Sequence, residues 1–262
     1  MKKILQIGLI LSLFTFIHTL SAHDLKGAVA SDDRSPKNII RDNHRNPLET
    51  LSFFGIESDM VIVELSPGGG WYTEILANFI HYPGTLIAAH FSSDSDRAYY
   101  KRSRSNFEKK MASDSMYGRV EIVDLGPSQL SDPNTVDAVL TFRNLHNWLG
   151  PTMDSIFSNT HKALKPGGIF GIVEHRAKPG TSMDIMRKSG YVTESHAIAI
   201  AEKHGFELVA KSEINANPKD LKDYPKGVWT LPPNLRLKET DKEKYLEIGE
   251  SDRMTLLFRK PI

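Results

Sequence analysis

The stretch Glu64-Leu65-Ser66-Pro67-Gly68-Gly69-Gly70 joins an acidic residue to three successive glycines. Without a Cβ, the backbone at Gly68 and Gly70 can approach a ligand closely, and a helix starting there offers unpaired amides. Tight turns also need glycine for purely steric reasons, so that reading stands beside the first. A second stretch, Arg143-Asn144-Leu145-His146-Asn147-Trp148, sets a candidate base, His146, beside two groups able to grip a substrate. Arginine holds carboxylate or phosphate in a bidentate manner, and asparagine pairs with amides. The structural alternative is that Arg143 and Asn144 tie loops together and that His146 packs under Trp148. Glu174-His175-Arg176 and the separate His90 add further titratable groups. His90, His146 and His175 permit a metal site, but a metal needs convergent ligands, and none is assigned.

These residues can act together only if the fold brings them to one edge. Met60-Val61-Ile62-Val63 is an apolar run that predicts a strand ending at Glu64. Tyr72, Ile75, Leu76 and Phe79 follow with helical spacing, so a helix starts just after the glycines. Further strands are predicted at 85–91, 120–125, 136–142, 169–173, 207–214 and 254–258. Helices are predicted over 46–56, 96–112, 151–164 and 193–205, and Lys165-Pro166-Gly167-Gly168 reads as a turn. This alternation implies an α/β fold, a mostly parallel seven-stranded sheet with helices on both faces. The last strand is reached without a predicted helix, which implies one antiparallel partner at the end. Ligands in such sheets bind beyond the carboxyl ends of the strands, where the three stretches fall. The cationic run over 96–112 reads as a solvated helix face, with an anionic-surface patch as the alternative. Residues 23–45 read as a leader, loose through 37, before one domain over 46–262. Within that domain 215–253, carrying Trp229 and Leu231-Pro232-Pro233, reads as a lid over a small-molecule pocket. The plainer reading is a loop that Trp229 anchors on the sheet.

The turn at 64–70 resembles the first motif of class I S-adenosylmethionine-dependent methyltransferases, with Glu64 in the acidic place, Gly68 and Gly70 in two glycine places, and Ser66 replacing the first glycine. Residues 136–148 resemble the fourth-strand motif of that superfamily, and 163–169 the turn before its fifth strand. More narrowly, Arg41-Asp42, Gly69-Gly70-Trp71-Tyr72-Thr73, Phe142-Arg143-Asn144 and Gly249-Glu250-Ser251-Asp252-Arg253 resemble a little-characterised bacterial family of predicted exported methyltransferases. The resemblance implies a Rossmann-like methyltransferase fold with S-adenosylmethionine as cofactor, held at Glu64, Ser66, Gly68, Gly70 and His90. His90 stands where the superfamily carries an acidic residue for the ribose hydroxyls; Asp94 and Asp96 lie just beyond it. It also implies that His146, Arg143 and Asn144 serve the transfer of a methyl group to a small molecule.

Composition sets limits on partners. Lys and Arg number 33 against 32 Asp and Glu, a net charge of +1, which argues against nucleic acid as a partner. Cysteine is absent, which excludes disulfides, zinc thiolates and thiol nucleophiles. With an uncleaved N-terminal anchor as the alternative, Lys2 and Lys3, an apolar run over 4–17, and Leu20-Ser21-Ala22 read as a secretory signal, cleaved after Ala22 or at the competing Ser21, that sends the protein to the periplasm or outside the cell. No stable membrane insertion is then expected, and the oligomeric state is not legible. Because a charged cofactor made in the cytoplasm does not cross a bilayer unaided, the rival to an exported enzyme is a ligand-binding or scaffold protein that kept the fold and altered or lost its cofactor.

Overall fold

The structure is a computed structural model that describes residues 24–126 and 129–262. The predicted signal segment, 1–22, lies outside the described residues. Seven strands form one sheet: β1 Val61–Leu65, β2 Thr85–His90, β3 Val120–Asp124, β4 Val136–Phe142, β5 Leu164–His175, β6 Glu207–Ser212 and β7 Arg253–Arg259. Their order is β3-β2-β1-β4-β5-β7-β6. β1 pairs in parallel with β2 and β4, whereas β7 is antiparallel to both β5 and β6. The strand order runs outward from β1 to β3 on one side and from β4 onward on the other, and this switch between the parallel β1 and β4 opens the crevice in which such folds bind ligands.

Strand alternation divides the core between two faces. Val63 and Leu65 face one cluster, with Ile156 and Phe157 of α8 Pro151–Ala163 and Ala197 of α10 Glu194–Lys203. Ile62 faces the other, with Leu51 and Phe54 of α4 Pro47–Phe54 and Ile75 and Leu76 of α5 Trp71–Phe79. A period of two along a strand requires this division and sends Glu64 to the same side as Ile62. Gly171 lets α4 close on β5, since a Cβ there would lie 2.9 Å from the Phe54 ring.

Three findings differ from the sequence expectations. Residues 24–45 are ordered, including the stretch through 37 expected to be loose. They form α1 Leu25–Val29, α2 Pro36–Ile39 and α3 Asp42–Arg45, and Ala28, Arg34 and Arg45 are buried. Their polar composition hides a set of specific anchors: Arg34 donates to Asp42 at 2.7 and 2.8 Å, and Ser35 Oγ donates to Glu74 at 2.7 Å. The expected turn at 165–168 is continuous with β5, because Leu164 pairs with Val136 across a register shift. The segment between β6 and β7 has structure of its own, a 3-10 turn at Gly227–Thr230 and, after α6 Ala98–Met111, α7 Leu145–Trp148 and α9 Met183–Ser189 earlier in the chain, a last helix, α11 Lys242–Ile248. No helix among the described residues is long and apolar enough to cross a membrane.

Candidate active site

The carboxyl ends of β1, β2, β4 and β5 carry the predicted residues to one rim. The glycine turn leaves β1 through Ser66, whose φ of 51° is left-handed, and Gly68 and Gly70 hold φ of 59° and 77°. Ser66 therefore keeps the conformation that a glycine would adopt there. Glu64 is buried, accepts from Thr73 Oγ1 at 2.6 Å and is pushed up to about 7 by burial. It ties β1 to the first turn of α5.

His90 takes a part that its position alone did not reveal. Its Nδ1 accepts from the Phe91 amide at 2.8 Å, so its Nε2 carries the proton and donates to the Gly68 carbonyl at 3.2 Å. Burial lowers its pKa, which favours this neutral form. Both nitrogens are committed, and His90 props the glycine turn from below instead of offering a free partner to a ribose hydroxyl. Asp94 and Asp96 are exposed. Lys110, one cation of the predicted solvated face, holds the turn from the side. Its Nζ donates to the carbonyls of Gly69 and Gly70 at 3.1 and 3.3 Å and pairs with Glu74 at 2.6 Å. Arg104 of the same run is buried and binds Asp124 at 2.8 Å, while Lys101, Arg102 and Lys109 stay exposed. Asn144 clamps the turn from β4. Its Nδ2 donates to the carbonyls of Leu65, Ser66 and Phe142 and to Thr141 Oγ1, all at 3.2 or 3.3 Å.

Around this braced turn the ligand-facing side is open. A Cβ on Gly68 or Gly69 would meet nothing within 4 Å. Gly69 lines three adjoining cavities of about 550, 420 and 370 Å³. The backbone thus fits the approach of a nucleotide-like cofactor. At the end of β2, His90 stands in place of the carboxylate of the superfamily.

His146 and Arg143 lie on the cavity of about 420 Å³, with Trp229, Pro232 and Pro233 on its other wall. His146 does not pack under Trp148. Trp148 is a core residue, and the His146 ring meets the edge of Trp229 at 6.0 Å and the ring of His175 at 5.3 Å. Glu174 accepts from the His146 backbone at 3.3 Å and lies 3.0 Å from its Nδ1. An ionised carboxylate only accepts, so Nδ1 carries the proton and Nε2 keeps its lone pair. His175 is held well below its usual pKa, by burial first and then by His146 and by Arg143, Arg253 and Arg45. His146, Glu174 and His175 bring one possible ligand atom each within 4.8 Å of one another, while His90 lies apart from them, under the glycine turn. The arginines beside them oppose the arrival of a divalent cation.

The sequence marks Arg143 alone among those arginines as a site residue; the convergence of four of them is not legible in it. Arg41, Arg45, Arg143 and Arg253 converge on the buried carboxylate of Glu250, with nitrogen–oxygen distances of 2.6, 3.3, 3.5 and 3.4 Å. Burial alone would raise Glu250, but Arg45, Arg143, Arg253 and Arg41 outweigh it and hold the group at about 2. Burial and the neighbouring cations lower Arg45 to about 8 and Arg143 to about 10. Arg143 also holds a left-handed φ of 63° at the end of β4. Arg41-Asp42 and the 249–253 stretch were noticed only as likenesses; their separation by some two hundred positions conceals that they meet.

The fold and the braced glycine turn define a class I methyltransferase fold. Residues 63–172 match a family model described as a methyltransferase domain. Sterol 24-C-methyltransferase erg-4 of Neurospora crassa is 24% identical over 221 residues, which cover 79% of this chain and 53% of that protein. Sterol 24-C-methyltransferase ERG6A of Gibberella zeae is 25% identical over 201 residues, 71% of this chain and 48% of that protein. The chain therefore spans about half the length of the curated relatives it matches. Among solved structures, a SAM-dependent methyltransferase from Aquifex aeolicus superposes with a TM-score of 0.58 at 14% identity, covering 90% of this chain and 98% of that one. Geranyl diphosphate methyltransferase in complex with SAM gives 0.58 at 10% identity, with 90% and 94% covered. The [4+2]-cyclase SpnF gives 0.60 at 14% identity, with 91% and 92% covered. The domain match supports S-adenosylmethionine as the cofactor, and the solved neighbours share the fold.

Proposed function

We propose that the protein is an exported S-adenosylmethionine-dependent methyltransferase acting on a small molecule. The observation that carries this reading is the open face of Gly68 and Gly69 on the same group of cavities as the His146–Glu174 pair. Backbone at the turn and the N-terminus of α5 would hold the cofactor, with Glu64, Ser66 and Gly70 shaping the turn. When bound, that cofactor supplies a methyl group on a sulfonium. His146, oriented by Glu174, would take a proton through Nε2 from an oxygen or nitrogen nucleophile. Trp229, Pro232 and Pro233 wall the cavity and would exclude water from the reacting groups. The relatives named for sterols do not transfer their substrate to this chain, because the wall carrying Arg41, Arg45 and Arg143 suits a charged ligand better than an apolar ring system. Export rests on Lys2, Lys3 and the apolar run before Ala22, and a mature N-terminus at His23 is its expected signature.

Titration calorimetry with S-adenosylhomocysteine tests the cofactor site. Gly69 has no left-handed φ and its Cβ would meet open space, so Gly69→Val keeps the fold and obstructs only the cavity. Saturable heat with the wild type, lost in Gly69→Val with an unchanged circular dichroism spectrum, is the expected result. A second reading, a ligand-binding protein on this fold with altered cofactor use, is favoured by one observation, the commitment of both His90 nitrogens to backbone. An absence of heat with the wild type at millimolar ligand selects it.

A further inference from the structure

The cation cluster beside the glycine turn has more charge than its own carboxylate neutralises. Four guanidiniums share Glu250, leaving three positive charges in excess. Other side chains close by are already engaged. Glu174 is bound to His146, Glu64 to Thr73, and Asp252 to Arg176 and Lys222. Arg45 is 3% exposed, lies over the Trp71 ring at 4.6 Å, and leaves Nη1 buried without a hydrogen-bond partner. An unsatisfied buried donor on a charged group is costly unless a ligand completes it. Arg41, Arg45 and Arg143 together line both the cavity beneath Trp229 and the adjoining one beside Ser66 and Gly68. Arg253 has other partners, the Ser251 and His44 carbonyls, and belongs to the scaffold of the cluster. Guanidinium groups match carboxylate and phosphate oxygens in pairs, a geometry that lysine does not supply.

We infer that Arg41, Arg45 and Arg143 bind an anionic group, a carboxylate or phosphate, carried by the substrate of the cavity under Trp229. The assignment deepens the methyltransferase reading and rests on it for the word substrate. The anion site itself stands on the cluster and the cavities. It names a class of ligand, small acids or phosphate esters, and gives Arg143 the work of orienting the substrate toward His146, which lines the same cavity. The depressed pKa values of Arg45 and Arg143 agree with it, since an arriving anion offsets the burial and the repulsion that lower them.

The probe is inorganic phosphate, titrated calorimetrically into the whole protein with and without saturating S-adenosylhomocysteine. One saturable site is expected in both conditions, with a rise in thermal midpoint as phosphate increases. Arg41→Gln and Arg143→Gln are each expected to weaken binding about 10- to 100-fold, from the loss of a charged hydrogen-bond partner. Arg41 is the safer variant for folding, because its side chain is 22% exposed; Arg187→Gln, on a half-exposed side chain outside the cluster, is the control. Absence of saturable binding, or equal binding in the cluster variants and the control, overturns the inference. Phosphate binding abolished by S-adenosylhomocysteine also overturns it, because the arginines would then serve the cofactor's carboxylate. If phosphate binds as expected while S-adenosylhomocysteine gives no heat, the anion site survives and the methyltransferase reading fails.

Discussion

Glu250→Gln is expected to cost the protein about 3 kcal/mol at pH 7. The residue is 4% exposed and is the carboxylate on which Arg41, Arg45, Arg143 and Arg253 converge. Its pKa, held at about 2 against an ordinary 4.5, corresponds to about 3 kcal/mol at about 1.36 kcal/mol per pH unit. Breaking a buried ion pair by removing one partner costs about 3–5 kcal/mol in general, the same scale. The sign follows from the direction of the shift. A carboxyl lowered by folding contributes in full above its unfolded pKa and loses that contribution as pH falls toward its folded one. The stability gap between wild type and Glu250→Gln is therefore expected to shrink to less than half by pH 3. Urea denaturation of both proteins at pH 7 and pH 3, with linear extrapolation, reads it directly. A gap below about 1 kcal/mol at pH 7, or one that persists unchanged at pH 3, would refute the account of the cluster as charges sharing one buried counterion.

Other outcomes follow from the same geometry. His146→Ala is expected to slow methyl transfer by about 10²–10⁴-fold while moving the thermal midpoint little, because its ring lies between Glu174 and Trp229 at the cavity wall; equal losses of activity and stability would assign it to structure. His175 is lowered well below 6.5 by burial and its cationic neighbours, so the unfolded chain binds its proton first and native stability falls as pH drops below about 6.5. Denaturation at pH 7 and pH 5 should show a loss in wild type that is smaller in His175→Gln. Gly70→Val is expected to destabilise by about 1–3 kcal/mol, unlike Gly69→Val, because Gly70 holds φ 77° and its Cβ would stand 3.3 Å from Lys110 Nζ and Phe107; chemical denaturation of the pair compares them. Added phosphate should raise the affinity of S-adenosylmethionine more than that of S-adenosylhomocysteine, since only the former carries a sulfonium charge, which would feel the cluster across the cavities that Gly69 and the arginines share; calorimetry of both cofactor forms measures the difference.

The sheet was legible because its strands repeat short apolar runs between helical spacings, and β1, β2 and β4 fall within a residue or two of their expected places. The glycine turn was legible because a positive φ at Gly68 and Gly70 leaves a compositional mark. The expected helix over 96–112 exists as α6, yet the burial of Arg104 and the bracing by Lys110 depend on partners 20 to 41 positions away. The same distance effect hid the arginine cluster, whose members Arg45 and Glu250 are 205 positions apart. Residues 24–45 misled by composition: Arg34 reads as solvent-facing, and its pairing with Asp42, its bond to the Val29 carbonyl and its place over the Trp71 ring make its burial possible. His90 misled by position, because a strand-end residue can face the ligand or the turn, and only the Phe91 and Gly68 bonds decide which.

Hydrogen-bond satisfaction separates what holds this site from what serves it. Glu64, His90 and Asn144 stand closest to the glycine turn and are engaged there by Thr73, by the backbone of Gly68 and Phe91, and by the strand ends. A side chain so occupied can fix a turn, but it must break a bond to meet a ligand. Groups with spare capacity include the open backbone at Gly69, Nη1 of Arg45, and Nε2 of His146 once Glu174 has taken Nδ1. Each belongs to a residue that lines the cavity beneath Trp229. The cofactor side of the crevice thus offers backbone, whose fit depends on the absence of side chains, and the far side offers charge and a base. That division explains how Ser66 and His90 can depart from the superfamily pattern without closing the site: His90 braces the turn from below, while Ser66 keeps the left-handed φ of the glycine it replaces and lines the adjoining cavity without filling it.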